Sequence, residues 1–98
     1  MNYTPNPVDT SRIELSEELK TAAEIISKNI HEVWAKNRMN EGWRYGEEHN
    51  SEKKLHPCIV EYEALSESEK DVDRATVNQT IKMLLLLGYK IEKVEGDN

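Results

Sequence analysis

The sequence predicts a mainly α fold: two principal helices, at about 17–38 and 72–87, with a long aromatic-anchored loop, an extended N-terminal arm and a short C-terminal strand. Three observations predict it. Residues 17–38 contain no glycine or proline and repeat their apolar side chains at helical spacing. Ser66-Glu67-Ser68-Glu69 is a capping box ahead of a second apolar stretch. Residues 40–65, between them, hold no sustained period but carry seven large anchors. At 98 residues the chain makes one domain, 1–98, read as an arm (1–15), a core (16–94) and a frayed tail (95–98).

In the arm, Pro5 and Pro7 push Thr4 and Asn6 out of the helical region. Ser16 is the expected N-cap of the first helix, and Glu17 and Glu18 sit in its first turn, where the helix dipole favours carboxylates. At about 100° per residue, Leu19, Ala22, Ala23, Ile26, Ile30 and Val33 fall within an arc of roughly 120°, the expected core stripe. Gly42, Gly46, Asn50, Ser51 and Pro57 punctuate the following segment, and Trp43, Tyr45, Leu55, Ile59, Val60, Tyr62 and Leu65 anchor it. An irregular stretch of that length is uncommon and often functional.

The capping box then leads into the second helix, with a kink expected near Asp71–Asp73 and Gly88 as the left-handed cap. Val77, Ile81, Leu84 and Leu85 form its stripe, and Met83 and Leu87 widen the apolar arc to about 200°. So wide an arc calls for cover on two sides, either from a second copy of the chain or from the aromatic loop. Tyr89–Val94 is the expected strand. A protein of this mass exposes about 5,800 Å² when folded, against about 16,500 Å² unfolded, which leaves one modest core. A ligand site is therefore expected in a groove or at a subunit interface.

Composition narrows the function. With 19 Asp and Glu against 13 Lys and Arg, a net charge of −6 and a pI near 5.1, no basic stripe is available to neutralise phosphates, so nucleic acid is not an expected partner. The longest apolar run, Met83–Leu87, falls far short of the roughly 20 residues of a membrane span. The single cysteine, Cys58, excludes an internal disulfide, and the N-terminus has no signal-peptide pattern; the expected location is cytoplasmic.

Enzymatic signatures are missing: no phosphate-cradling glycine loop, HExxH or GxSxG occurs. His49, His56 and Cys58 offer two imidazoles and a thiol without a fourth ligand at zinc-like spacing, so His56-Pro57-Cys58 reads as a loop anchor. The scattered carboxylates read as a solvated face rather than a general acid–base pair. The expectation is a protein that is not an enzyme and holds no metal.

One cluster stands apart. His31, Trp34 and Arg38, at steps of three and four on the first helix, are neighbours on the flank of the expected stripe. Two roles are open to them from helix position alone. Indole, imidazole and guanidinium could stack a planar base and pair an anion. Alternatively Trp34 caps the core edge while His31 and Arg38 are merely solvated.

The surrounding motifs carry a resemblance. His31-Glu32-Val33-Trp34-Ala35, Arg38 and Gly42-Trp43-Arg44-Tyr45-Gly46 are followed by Leu55-His56-Pro57-Cys58-Ile59-Val60, Tyr62 and Leu65-Ser66. Thr80-Ile81-Lys82, Leu84-Leu85, Leu87-Gly88-Tyr89 and Ile91 close the series, and Tyr3–Ser11 precedes it. Together they resemble the RyR domain, the repeat found in tandem pairs in ryanodine receptors and singly in small bacterial and phage proteins. The resemblance spans nearly the whole chain.

It implies a ligand-sensing or interaction module rather than an enzyme. The receptor repeats pack as a pseudo-twofold pair with a cleft for an adenine nucleotide, and a single repeat could recreate the pair as a homodimer. By that implication His31 and Trp34 line the site. Arg38 and Arg44 are candidate phosphate contacts by charge and proximity, and Trp43, Tyr45, Gly42, Gly46, His56 and Pro57 belong to the structural motif. No cofactor beyond a bound nucleotide is implied. The alternative is a protein–protein interaction module with no small-molecule ligand. Channel gating is not implied, because the second repeat is missing, and no EF-hand pattern suggests a calcium site.

Overall fold

The computed structural model describes residues 2–94, so the expected fraying of 95–98 lies outside the described residues. The fold is mainly helical: α1 (Glu17–Asn40), β1 (Arg44–Tyr45), β2 (Leu55–His56), a 3-10 turn (Tyr62–Ala64) and α2 (Glu67–Leu86). Ser16 caps α1 as expected, its Oγ accepting the Leu19 N–H. The Ser66–Glu69 capping box is complete, with each residue's side chain accepting the other's backbone N–H. Its effect is larger than expected: α2 starts at once, at Glu67 rather than near 72, and runs to Leu86 as a single α-helix.

Both helices end in the same way. Gly42 and Gly88 have φ of 97° and 99°. Gly42 N–H bonds the Met39 carbonyl and Trp43 N–H the Arg38 carbonyl, while Gly88 and Tyr89 donate to Leu85 and Leu84. These are paired Schellman closures, which left-handed glycine permits without strain. The first fixes where Trp43 leaves α1.

The helices pack antiparallel. Leu15, Ala23, Val77 and Ile81 form the buried cluster, with Leu19 and Leu85 against it. At the other end of α1, Ile30 and Trp34 line one side of a hollow whose far side is Val72 and Asp73 of α2. Arg74 ties the layers together, binding Glu24 through Nε and Nη2 at 2.8 and 2.9 Å and reaching Glu67 and Asp71 through Nη1. Tyr62 donates its hydroxyl to the same Glu24 at 2.9 Å, so the 3-10 turn joins both helices.

The buried face of α1 differs from the expected stripe. Its centre is the line Ala23, Ser27 and His31, and Ile26, Ile30 and Val33 are exposed at 42%, 37% and 52%. The face is thus turned by about 80° from that stripe. The reason lies in the crossing: Ala23 and the fully buried Ser27, whose Oγ is satisfied by the Ala23 carbonyl at 2.8 Å, are small enough to approach α2 closely. Larger isoleucines there would hold the helices apart.

The arm has no regular secondary structure and is exposed from Asn2 to Asp9. It is moored where Thr10, itself buried, donates to Gln79 and the Gln79 amide donates to the Val8 carbonyl. In the segment after α1, β1 and β2 pair in parallel, Arg44 opposite Leu55 and Tyr45 opposite His56. This short ladder was not expected. Ile59, Tyr62 and Leu65 are buried and anchor the rest, whereas Tyr45 is 53% exposed. The expected strand at Tyr89–Val94 does not form; the segment is irregular and exposed, with no strand beside it to pair with among the described residues. No described helix is long and apolar enough to cross a membrane.

Candidate functional site

The last turns of α1 carry the cluster singled out in the sequence. His31 is only 3% exposed and donates Nε2–H to the Val60 carbonyl at 2.7 Å. This fixes the ring on the loop and leaves Nδ1 as the acceptor in the neutral imidazole. Trp34, half-buried, stacks on His31 at 5.7 Å between centroids and meets the edge of His56 at 5.0 Å. His56 continues to Trp43 at 6.2 Å and to His49 at 5.2 Å, and Trp43 lies 5.6 Å from His49. These rings form a contiguous aromatic wall built from α1, from His56 on β2 and from Trp43 and His49 in the segment between α1 and β2.

His56 is held by the chain itself: its Nδ1 accepts the Cys58 N–H at 3.0 Å. Burial, together with nearby His49 and Arg38, pulls its pKa below the ordinary histidine value. Gly46 matters through close approach, since a Cβ there would lie 2.6 Å from Leu55 Cβ. Only glycine lets β1 lie this near β2 and so bring His56 onto Trp34.

Beside this wall opens a hollow of about 370 Å³, a volume in the range of small-ligand sites. Its apolar walls are Ile30, Trp34, Leu65 and Val72; its polar edges are His31, His56, Cys58, Glu69 and Asp73. Cys58 donates to Glu69 at 3.4 Å, and its pKa is pushed up to about 11 by burial and then by the Glu69 carboxylate. Glu69 is held below the usual carboxylate range by the Ser66 N–H and the Cys58 thiol. A second hollow, of about 610 Å³, lies between the first turns of α1 and Ile91–Lys93, but it has no aromatic wall.

The structure brings His31, Trp34 and His56 together, and Arg38 stays near His56 without entering the hollow. Arg38 and Arg44 do not line the hollow. Arg38 Nη2 reaches Glu41 at 3.4 Å, and its Nε is buried with no hydrogen-bond partner among the described residues. Arg44 is exposed on β1. Trp43 and Pro57 are half-buried in the loop. Sequence reasoning missed Ile30, Cys58, Leu65, Val72, Glu69 and Asp73 as lining residues. Glu69 and Asp73, one helical turn apart, were legible only as parts of a charged helix start, because the opposite wall comes from another element. Among the described residues, no group of three or more His, Cys, Asp or Glu could hold a metal ion.

Residues 3–93 match the family model of the RyR domain. The match covers nearly the entire chain, and the protein belongs to the RyR domain family.

Proposed function

We propose that this RyR domain is a non-enzymatic small-ligand sensor, and that the hollow beside Trp34 takes the planar base of an adenine-nucleotide-like ligand. The observation that carries the reading is the combination in one concave site of a stacking indole, two histidines fixed by backbone hydrogen bonds and an apolar floor. Fixed rings cost little ordering entropy on binding. The phosphates lie outside, on the side of Arg38, whose guanidinium is partly exposed and near His56. The one thiol of the site, Cys58, is kept protonated, its pKa pushed up to about 11 by burial and by Glu69, so it is a poor nucleophile and the ligand is held and not turned over.

The same reading includes a second copy of the chain. Ile26, Ile30 and Val33 on α1 and Val72, Leu84 and Leu87 on α2 are exposed, and Ile30 and Val72 face the same hollow. The chain exposes 7975 Å², against about 5,800 Å² for a compact monomer of this mass. The exposed arm and the irregular Tyr89–Val94 segment contribute to this excess, so the dimer reading rests on the exposed apolar residues of the two helices. A homodimer through this face would stand two hollows together and reproduce the paired repeats of the receptors.

The test is isothermal titration with ATP and ADP beside Trp34→Ala and Val72→Asp, with the oligomeric state read by sedimentation. Val72 is 69% exposed, so its replacement leaves the fold intact even if Trp34→Ala weakens it. Saturable binding by a dimer, lost in both variants, is the expected result. A folded protein that binds neither nucleotide but captures one protein partner stoichiometrically through the same face would make it an interaction module instead.

A further inference from the structure

The segment that follows α2 has the make-up of a strand without a neighbour. Tyr89, Ile91 and Val94 are residue types that favour strands, and all three are exposed. Lys90 and Glu92 share one side of the chain, their side chains paired at 3.3 Å, as residues two apart do in an extended segment. Ile91, between them, lines the hollow of about 610 Å³ whose other wall is Leu19, Ala22 and Ile25 of α1. The Tyr89 N–H is engaged by the Leu84 carbonyl, but no backbone group of residues 90–94 has a backbone partner among the described residues. An exposed edge of this kind, with an apolar floor beside it, is a template for a second strand.

We propose that the missing strand is the same segment of a second copy, and that residues 89–94 of two chains pair antiparallel about a twofold axis at Ile91. Charge selects this register. With Ile91 opposite Ile91, Lys90 of each copy stands opposite Glu92 of the other, so both flanking pairs are of opposite sign. Moving the axis to lie between Ile91 and Glu92 sets Lys90 against Lys93 and Ile91 against a carboxylate; moving it the other way leaves no ion pair. The closure of α2 selects the same arrangement. Because its N–H is already engaged, Tyr89 cannot exchange hydrogen bonds with Lys93 of the partner. The ladder bonds therefore fall to Lys90 and Glu92, and Ile91 takes the position without hydrogen bonds, where opposed side chains lie closest. The two Ile91 side chains then cover one another and the apolar floor of Leu19 and Ile25. This contact lies at the opposite end of the helices from Val72 and does not depend on a ligand beside Trp34.

Sedimentation of the Val72→Asp protein across concentration isolates this contact from the helix face, so its failure and that of the sensor reading are distinguishable. Into that parent go Lys90→Glu and Glu92→Lys, each of which sets like charges opposite one another in both flanking pairs. Both side chains are exposed, so neither change disturbs the core. Each variant alone should dissociate about tenfold more readily than the parent, the effect of reversing two cross-strand pairs. An equimolar mixture of the two should associate to within about threefold of the parent, because every introduced charge then meets its opposite. Glu92→Pro, which removes a ladder N–H, should dissociate the parent by at least as much. Association indifferent to all three changes overturns the strand pairing. Loss in the single variants that mixing does not restore overturns the register at Ile91, and with it the proposal. A parent that stays monomeric up to about 1 mM also overturns it and leaves the unpaired edge to a strand of another protein.

Discussion

The thiol of Cys58 reports directly on the carboxylate wall. Its pKa is pushed up from 9.0 to about 11, first by burial, then by the hydrogen bond and charge of Glu69, and last by the charge of Asp73. Only the thiolate is nucleophilic, so near pH 8 the reactive fraction falls roughly 100-fold below that of an ordinary cysteine. The assay is pseudo-first-order alkylation by iodoacetamide, followed by intact mass from pH 7 to 12.5, on native and urea-unfolded protein. Steric cover would lower the plateau of the rate profile without moving its midpoint. A raised pKa moves the midpoint, and a native midpoint about two pH units above the unfolded one is expected. Glu69→Gln should bring the native midpoint part of the way back while burial holds the rest. A native midpoint near 9, or one indifferent to Glu69→Gln, would refute the argued electrostatics of the hollow.

Three other outcomes follow from the same structure. Gly46→Ala should destabilise by about 1–3 kcal/mol, lowering the thermal midpoint by about 4–8 °C per kcal/mol. Because the clash is with Leu55 Cβ at 2.6 Å, Leu55→Gly should relieve it in the double variant and Leu55→Ala should not. His31→Phe should cost about 1–2 kcal/mol in urea unfolding, since the ring is refilled but the Val60 carbonyl loses its donor. His56 has a folded pKa below its unfolded value near 6.5, so the unfolded chain binds the extra proton first. Its contribution is complete above about pH 6.5 and is lost as pH falls through the lower folded value; His56→Gln should remove this dependence between pH 7.5 and 5. Glu24, held low by Arg74 and Tyr62, adds its own loss only as pH falls below 4.5.

Local signals were readable in the sequence wherever one segment decides the outcome. Ser16, the Ser66–Glu69 box, Gly42 and Gly88 each act on backbone groups within a few residues, and the helices begin and end around them. The α1 face was misread because hydropathy ranks Ile26 and Ile30 above Ser27, whereas close helix approach selects Ser27 for its size. No propensity marks Arg44–Tyr45 or Leu55–His56 as strands; their pairing depends on Gly46 admitting Leu55. The His31–Trp34 half of the site was visible because both lie on one helix. The carboxylate half arrives from α2 and becomes part of the site only through packing. Membership of the RyR domain family was carried by spacing across the whole chain, so it survived these local errors.

The most direct test of the account is a nuclear magnetic resonance titration of the labelled protein with ATP, with the Trp indole N–H and the methyl groups observed. If the hollow is the site, the Trp34 indole and the methyls of Ile30, Leu65 and Val72 shift together and saturate together, while Ile25 and Ile91, in the other hollow, stay still. Saturating shifts centred on Ile25 and Ile91, with Trp34 and Val72 unmoved, would contradict it.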